Sequence, residues 1–343
     1  MPYYLFKLSG ESLDLGLQEL QSLFWPSKLK ILEQFGYYFL VQTNLREKSL
    51  VKILERSAFV QSCALVVKRI GSLLLEDLAK VDWSFVKLPF CVRAVDLEKA
   101  SAPGLEARLA GPIYDFFSHH KGKMPIVSLE NPKTIVFFFI TFKSVFICKQ
   151  IWRAKEGRFK GREPSQKPAF HPTSLKPKLA LLLVNLSRAK PGKILLDPFC
   201  GAGSILIEAG LIGCKPIGLD LDEKMIDRSK INLHFYNVKA KLYVGNALAL
   251  ENFFKPNSID AIATDPPYGR STKIGAESLN ALYKGFFNSA WIVLKKGAFM
   301  SLIYPHYVPA KKFINKKKWA LIFSSELKVH GGLTRKFMVL QKR

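Results

Sequence analysis

The stretch ILLDPFCGAGSILIEA, Ile194 to Ala209, decides how the second half of this chain is read. A short apolar strand ends at Asp197, a turn carries Gly201 and Gly203, and a helical run follows. Glycines in such a turn reach positive φ and let the backbone approach a ligand closely. The helix start behind them favours a negatively charged group. A dinucleotide-binding turn needs Gly or Ala where Leu206 stands, and a phosphate-binding loop needs Gly-Lys-Ser/Thr, which does not follow. Any tight strand-to-helix turn can also require two glycines, so the segment is weighed with its neighbours.

Those neighbours are regular. From Pro168 onward, strands are expected at Lys193–Asp197, Pro216–Asp220, Lys241–Gly245, Ile259–Asp265 and Ala298–Tyr304. Helices are expected at Lys176–Ala189, Gly203–Ile212 and Glu223–Tyr236, with another before Lys295. This interleaving predicts an α/β fold with a doubly wound parallel sheet. A hairpin of Trp319–Val329 and Lys336–Gln341, turning at His330-Gly331-Gly332, is expected to close one edge.

Ligands of such sheets lie beyond the carboxyl ends of the strands. The second strand ends at Asp220, whose carboxylate suits ribose hydroxyls and serves equally well as a helix cap. The third ends at Asn246, which can read an adenine edge or sit in an ordinary turn. The fourth is AIATDPPYGRST, Ala261 to Thr272, and it is the most specific. Two prolines fix φ and remove two backbone donors, leaving the Pro266 carbonyl free as an acceptor. Asp265 and that carbonyl can then face one planar amine, with Tyr268 against the ring that bears it.

Upstream the pattern is a mixed α+β one. Ser12 to Phe24 and Lys48 to Phe59 read as helices, Phe35 to Gln42 as a strand, and the strand-rich stretches Val86–Val95 and Thr134–Cys148 flank a helix at Leu105–His119. RAKEGRFKGREPSQK, Arg153 to Lys167, holds six basic residues and two acidic ones and reads as a solvated linker. By texture the chain therefore divides into a first part of about 150 residues, a basic linker at 152–167, and 168–343.

With 48% hydrophobic and 12% aromatic residues among 343, the chain has material for buried cores, which excludes a largely disordered adaptor. Its 52 Lys and Arg against 27 Asp and Glu leave a net charge of +25, which attracts a polyanion. No apolar run is long enough to span a bilayer, and the start MPYYLFKLSGESLDLG lacks the pattern of a secretory signal. The five cysteines show no C-x-x-C pair, so neither a disulfide framework nor a zinc ribbon is indicated. The expectation is a cytosolic protein that faces nucleic acid, with no metal.

DPFCGAG followed by DPPYG resembles the Rossmann-fold S-adenosylmethionine-dependent methyltransferases that act on exocyclic base amines. More narrowly, Lys167 to Gly213 together with TDPPYGRST resembles the archaeal tRNA guanosine-10 N2-methyltransferases. In that family a THUMP RNA-binding domain precedes the catalytic one. PFCVRAVD, LEARLAG and LENPKTIVFFFI are similar to THUMP segments. The resemblance is strong over Pro168 to Arg343 and moderate over Val51 to Ile151, while residues 1–50 match only by position. It implies cofactor contacts at His171, Thr173, Asp197, Gly201, Gly203, Asp220 and Asn246, the last standing where many of that family carry Asp. It implies catalysis by Asp265, Pro266 and Tyr268, tRNA as partner, and a monomer, with the need for an accessory subunit left open.

An exocyclic guanine amine is a poor nucleophile because its lone pair is delocalised. Two acceptors on its hydrogens localise that pair, and an anion favours the charge developing on nitrogen. A paired base must be flipped to reach such a pocket. From Lys311 to Arg343 there are ten basic residues and one acid, so Arg335, Lys316, Lys317 and Lys318, with Arg270 after the catalytic turn, are expected to contact phosphate. The competing readings are the same chemistry on another tRNA position or on ribosomal RNA, a DNA adenine-N6 methyltransferase, and a catalytically silent RNA-binding protein.

Overall fold

Apolar residues that alternate along Thr134–Thr141 (TIVFFFIT) can serve a sheet buried on both faces, because successive side chains point to opposite sides. The structure, a computed structural model describing residues 1–27, 29–97, 103–122, 124–269, 275–330 and 333–343, uses them in that way. The chain divides into two compact units. The first comprises Met1–Gly10, Lys28–Leu54 and Val60–Lys155, and the second Glu11–Ser27, Glu55–Phe59 and Glu156–Arg343.

In the first unit the strands are β1 (Tyr3–Leu8), β2 (Lys30–Phe35), β3 (Tyr38–Gln42), β4 (Val60–Ile70), β5 (Phe90–Asp96), β6 (Thr134–Thr141) and β7 (Ser144–Arg153). They form one sheet in the order β2-β3-β1-β4-β7-β6-β5. On one face Val136, Phe138 and Ile140 of β6 pack with Leu109, Ile113 and Phe117 of a helix at Leu105–Lys121. Phe139 serves the other face, beside Leu5, Leu40 and Phe146. Strands on both sides of residue 50 share this sheet, a pairing that local periodicity does not show. The expected strand-rich stretch at 134–148 is the β6–β7 hairpin.

The helices are numbered in chain order: α1 (Leu13–Phe24), α2 (Glu47–Leu54), α3 (Leu75–Ala79), α4 (Leu105–Lys121), α5 (Pro177–Leu186), α6 (Ser204–Leu211), α7 (Glu223–Phe235) and α8 (Leu279–Val293). The second unit contains β8 (Ile194–Asp197), β9 (Lys215–Asp220), β10 (Lys241–Val244), β11 (Ile259–Thr264), β12 (Leu294–Pro305), β13 (Trp319–His330) and β14 (Leu333–Lys342). Their order is β10-β9-β8-β11-β12-β14-β13. The first five are parallel, and β14 and β13 are added antiparallel as the expected hairpin; its Gly331 and Gly332 lie outside the described residues. Leu195, Ala261 and Ala263 face a core with α5, while Leu196 and Ile262 face one with α8.

Two expectations are corrected. Nine of the ten residues of helix α5 (PKLALLLVNL) are buried, all but Lys178, so it needs cover on nearly every side. Leu15 of α1, with Ala58 and Phe59, completes its core, and these segments belong to the second unit. Glu19 of α1 is fully buried and accepts from the backbone N–H of Ala58 at 2.5 Å and of Phe59 at 2.7 Å, and from the Asn185 side chain at 2.7 Å. The expected helix over Lys48–Phe59 therefore stops at Leu54, because the amides of Ala58 and Phe59 bind a carboxylate instead of helix carbonyls. The basic segment at 152–167 is not a solvated linker either. Arg162 pairs with the buried Glu208 at 2.7 Å, and Lys167 is only 5% exposed, with its ammonium on the Ser204 hydroxyl. Among the described residues no helix is long and apolar enough to cross a membrane.

Candidate active site

The order of the second sheet reverses between β8 and β11, and a crevice opens at their carboxyl ends, as expected at a topological switch point. A cavity of about 640 Å³ lies there. His171, Thr173, Asp197, Gly201, Asp220, Asn246, Asp265, Pro266, Tyr268 and Arg335 all line it.

Asp197 ends β8 at 1% exposure and accepts from the Thr264 hydroxyl at 2.7 Å and the Phe199 N–H at 3.2 Å. Burial pushes its carboxyl up to about 7. Past it, Gly201 and Gly203 take φ of +50° and +85°. A Cβ on Gly203 would stand 2.9 Å from the Ser229 hydroxyl, so this glycine shapes the turn from below and does not line the cavity. Asp220 accepts from the N–H of Gly201 at 2.8 Å and of Asp222 at 3.0 Å, which ties the end of β9 to the glycine turn. Cys200 is buried and its thiol is pushed well up by burial, which removes it as a nucleophile.

Asn246 caps the turn after β10: its Oδ1 accepts from Leu248 N at 3.0 Å and its Nδ2 donates to the Gly275 carbonyl at 3.2 Å. His171 Nδ1 and the Thr173 hydroxyl are 2.8 Å apart. Sequence reasoning missed Asn232, buried on α7. Its side chain accepts from Ala169 N and donates to the carbonyls of Ala169 and Ala202, stapling the segment before His171 to the glycine turn. A lone helical Asn carries no signal of such a role. Ser174, at the end of the His171–Ser174 segment, lines the cavity, and its buried hydroxyl has no partner among the described residues.

Across the cavity stands the turn after β11. Asp265 Oδ1, the Tyr268 hydroxyl and Arg335 Nε are buried close together there, and both Asp265 and Arg335 act on the Tyr268 hydroxyl. Buried polar groups are usually paired, and these three are gathered at one cavity wall, where a polar ligand can engage them. Burial raises Asp265 to about 6, and the Arg335 guanidinium opposes that rise. Tyr268 is pushed up by burial and by Asp265, so it stays a neutral phenol. The Tyr307 hydroxyl donates to the Tyr268 carbonyl at 2.9 Å and braces the turn.

The expected basic contacts separate. Arg335 stands in the cavity wall and not among the outer lysines. Lys316 and Lys317 are exposed, whereas Lys318 donates to Asn288 at 3.3 Å and lies over the Trp291 ring, so its charge is partly committed to local packing. Arg270 lies outside the described residues. Among those described, no group of three or more His, Cys, Asp or Glu is placed to hold a metal ion.

The family described as RMKL-like, methyltransferase domain, matches residues 164–336. The tRNA (guanine(10)-N2)-dimethyltransferase of Methanothermobacter thermautotrophicus is 30% identical over 341 residues, 98% of each chain. The protein of the same name from Methanocaldococcus jannaschii is 41% identical over 152 residues, 43% of each. Among solved structures, TrmN from Thermus thermophilus aligns with a TM-score of 0.53 at 22% identity, covering 99% of this chain and all of that one, a likeness of fold.

Proposed function

The chain belongs to the tRNA (guanine(10)-N2)-dimethyltransferase family, its RMKL-like methyltransferase domain spanning residues 164–336, and from this premise we propose that it methylates N2 of guanosine 10 in tRNA. The observation that carries the reading is the Asp265 carboxylate, buried beside Tyr268 and Arg335 in the wall of a cavity that Gly201 and Ala202 also line. The cofactor of this family is S-adenosylmethionine, and the chain's residues fit it. The open backbone at Gly201 suits the methionine part, Asp220 suits the ribose hydroxyls, and the unpartnered Ser174 hydroxyl offers a further polar contact. When bound, the cofactor supplies an electrophilic methyl group.

The rest belongs to this chain. Asp265 and the Pro266 carbonyl accept the two amine hydrogens and localise the nitrogen lone pair. The anion stabilises positive charge as it develops on nitrogen, and with its affinity near pH 6 it can take the departing proton at a carboxylate oxygen and release it to solvent. Tyr268, neutral and braced by Tyr307, presents its ring to the flipped base. The amine keeps a lone pair after one transfer, so a second methyl group follows at the same site.

Recognition of RNA is assigned to the THUMP-like region at 51–151 and to the basic C-terminal stretch, where Lys316, Lys317 and Arg270 contact phosphate. The protein acts as a monomer in the cytoplasm. The test is direct: tRNA is incubated with isotopically labelled donor, digested, and the modified nucleotide mapped by mass spectrometry. N2-methylated guanosine at position 10 is expected. Label elsewhere would overturn the assignment.

A further inference from the structure

Among the described residues Arg335 is the one Lys or Arg in the wall that holds Asp265, and its position in the sheet explains why. It lies on β14 opposite Pro305, where β12 passes its own carboxyl end, so the antiparallel strand brings a residue from the basic tail back to the catalytic turn. Its Nε is buried, and its charge acts on Asp265 and on the Tyr268 hydroxyl. A surface phosphate anchor keeps its guanidinium in water, whereas Arg335 is half-buried, with Nε out of solvent, and lines the same cavity as Asp265 and Tyr268.

The wall therefore presents acceptors and a donor side by side: the Asp265 carboxylate, the Pro266 carbonyl, and the Arg335 guanidinium. Guanine carries the complement on its Watson–Crick edge, an N2 amine whose two hydrogens meet the acceptors and, at the other end, an acceptor at O6. We propose that Arg335 is a specificity-determining residue that reads O6 of the flipped guanine while Asp265 holds its amine. This rests on the guanine-N2 reading above and adds to it the group that distinguishes guanine from other purines bearing an amine at the same carbon. A buried donor that loses its acceptor is left unpaired, and that is the means of rejection. Arg335 also favours the ionised form of Asp265, so the test must separate reading from charge.

The probe is a tRNA carrying 2-aminopurine at position 10, which keeps the amine and lacks O6. kcat/KM for guanosine and 2-aminopurine transcripts is measured with wild type, Arg335→Met and Arg335→Gln at pH 8.5, well above the value of about 6 that Asp265 has in wild type. 2-Aminopurine also lacks the N1 proton, but that loss is common to all three enzymes, so the change in ratio isolates the coupling between Arg335 and O6. The preference for guanosine is expected to fall by about tenfold or more in Arg335→Met, and Arg335→Gln, which keeps an N–H donor without charge, should retain part of it. A preference that stays within about threefold of wild type in both variants overturns the proposal, whether both rates fall together, as for a phosphate anchor or counter-charge, or neither does. If instead wild type leaves the guanosine transcript unmethylated, it is the guanine-N2 reading that fails. Cofactor affinity by calorimetry, unchanged in either variant, shows that the site is folded, and one folded variant suffices.

Discussion

At the scale of single residues, the carboxylates separate by environment. Asp265 is raised to about 6 by burial, so methyl transfer, which needs its anion, should be lost as pH falls through 6 and not near the ordinary carboxylate value. kcat/KM against pH should be level above 6 and drop about tenfold per unit below it. The same shift works on stability with opposite sense: a raised carboxyl stabilises the fold at low pH, and that contribution is gone once pH exceeds 6. Asp265→Asn should therefore melt no lower than wild type at pH 8 while losing most turnover; normal turnover would remove Asp265 from the mechanism. Asp220→Ala should weaken cofactor binding by about 1–3 kcal/mol through lost charge-assisted hydrogen bonds, and calorimetry showing unchanged affinity would place the ribose elsewhere. Both residues were legible in the sequence because each closes a strand whose end is a ligand position by topology. Asn232 was not, since its partners Ala169 and Ala202 are remote in the chain.

At the scale of elements, α1 and α5 form a pair that only packing reveals. Each has a sequence pattern of its own, yet Glu19 bridges them through Asn185 and also binds the amides before β4. Glu19→Ala would strand three buried donors, and the loss should reach about 3 kcal/mol or more in denaturant unfolding. Glu19→Gln, which keeps one acceptor oxygen, should cost less. Equal stability for all three proteins would show that water replaces the carboxylate. The strands of the second sheet were readable to within a few residues, whereas β1, β2 and β4 of the first were missed. Their side chains serve partners on other strands, so their alternation is irregular, as the burial along β2 and β4 shows.

At the scale of the whole molecule, the chain does not finish one unit before starting the next. Glu11–Ser27 and Glu55–Phe59 return to the unit that carries the Asp265 turn. A fragment beginning at Pro168 lacks Leu15, Ala58, Phe59 and Glu19 and should be unstable, although the sequence reads as if that segment were self-sufficient. Circular dichroism melting and cofactor calorimetry check this, and a fragment that binds as the full chain does would make those contacts dispensable. A net charge of +25 spread over the full protein should also make tRNA affinity fall roughly tenfold or more between 50 and 200 mM salt.

The sequence by itself determined the α/β alternation, the glycine turn and the Asp-Pro-Pro-Tyr turn, because each depends on local spacing and on backbone restrictions that glycine and proline carry with them. Tertiary structure decided that Arg335 stands beside Asp265, that Asn232 holds the glycine turn, that Lys167 is buried, and that α1 completes the core around α5. These depend on which remote surfaces meet, and no residue's own chemistry states that. A basic residue in a basic tail looks like a phosphate contact until the antiparallel return of β14 carries it to the carboxyl end of the sheet.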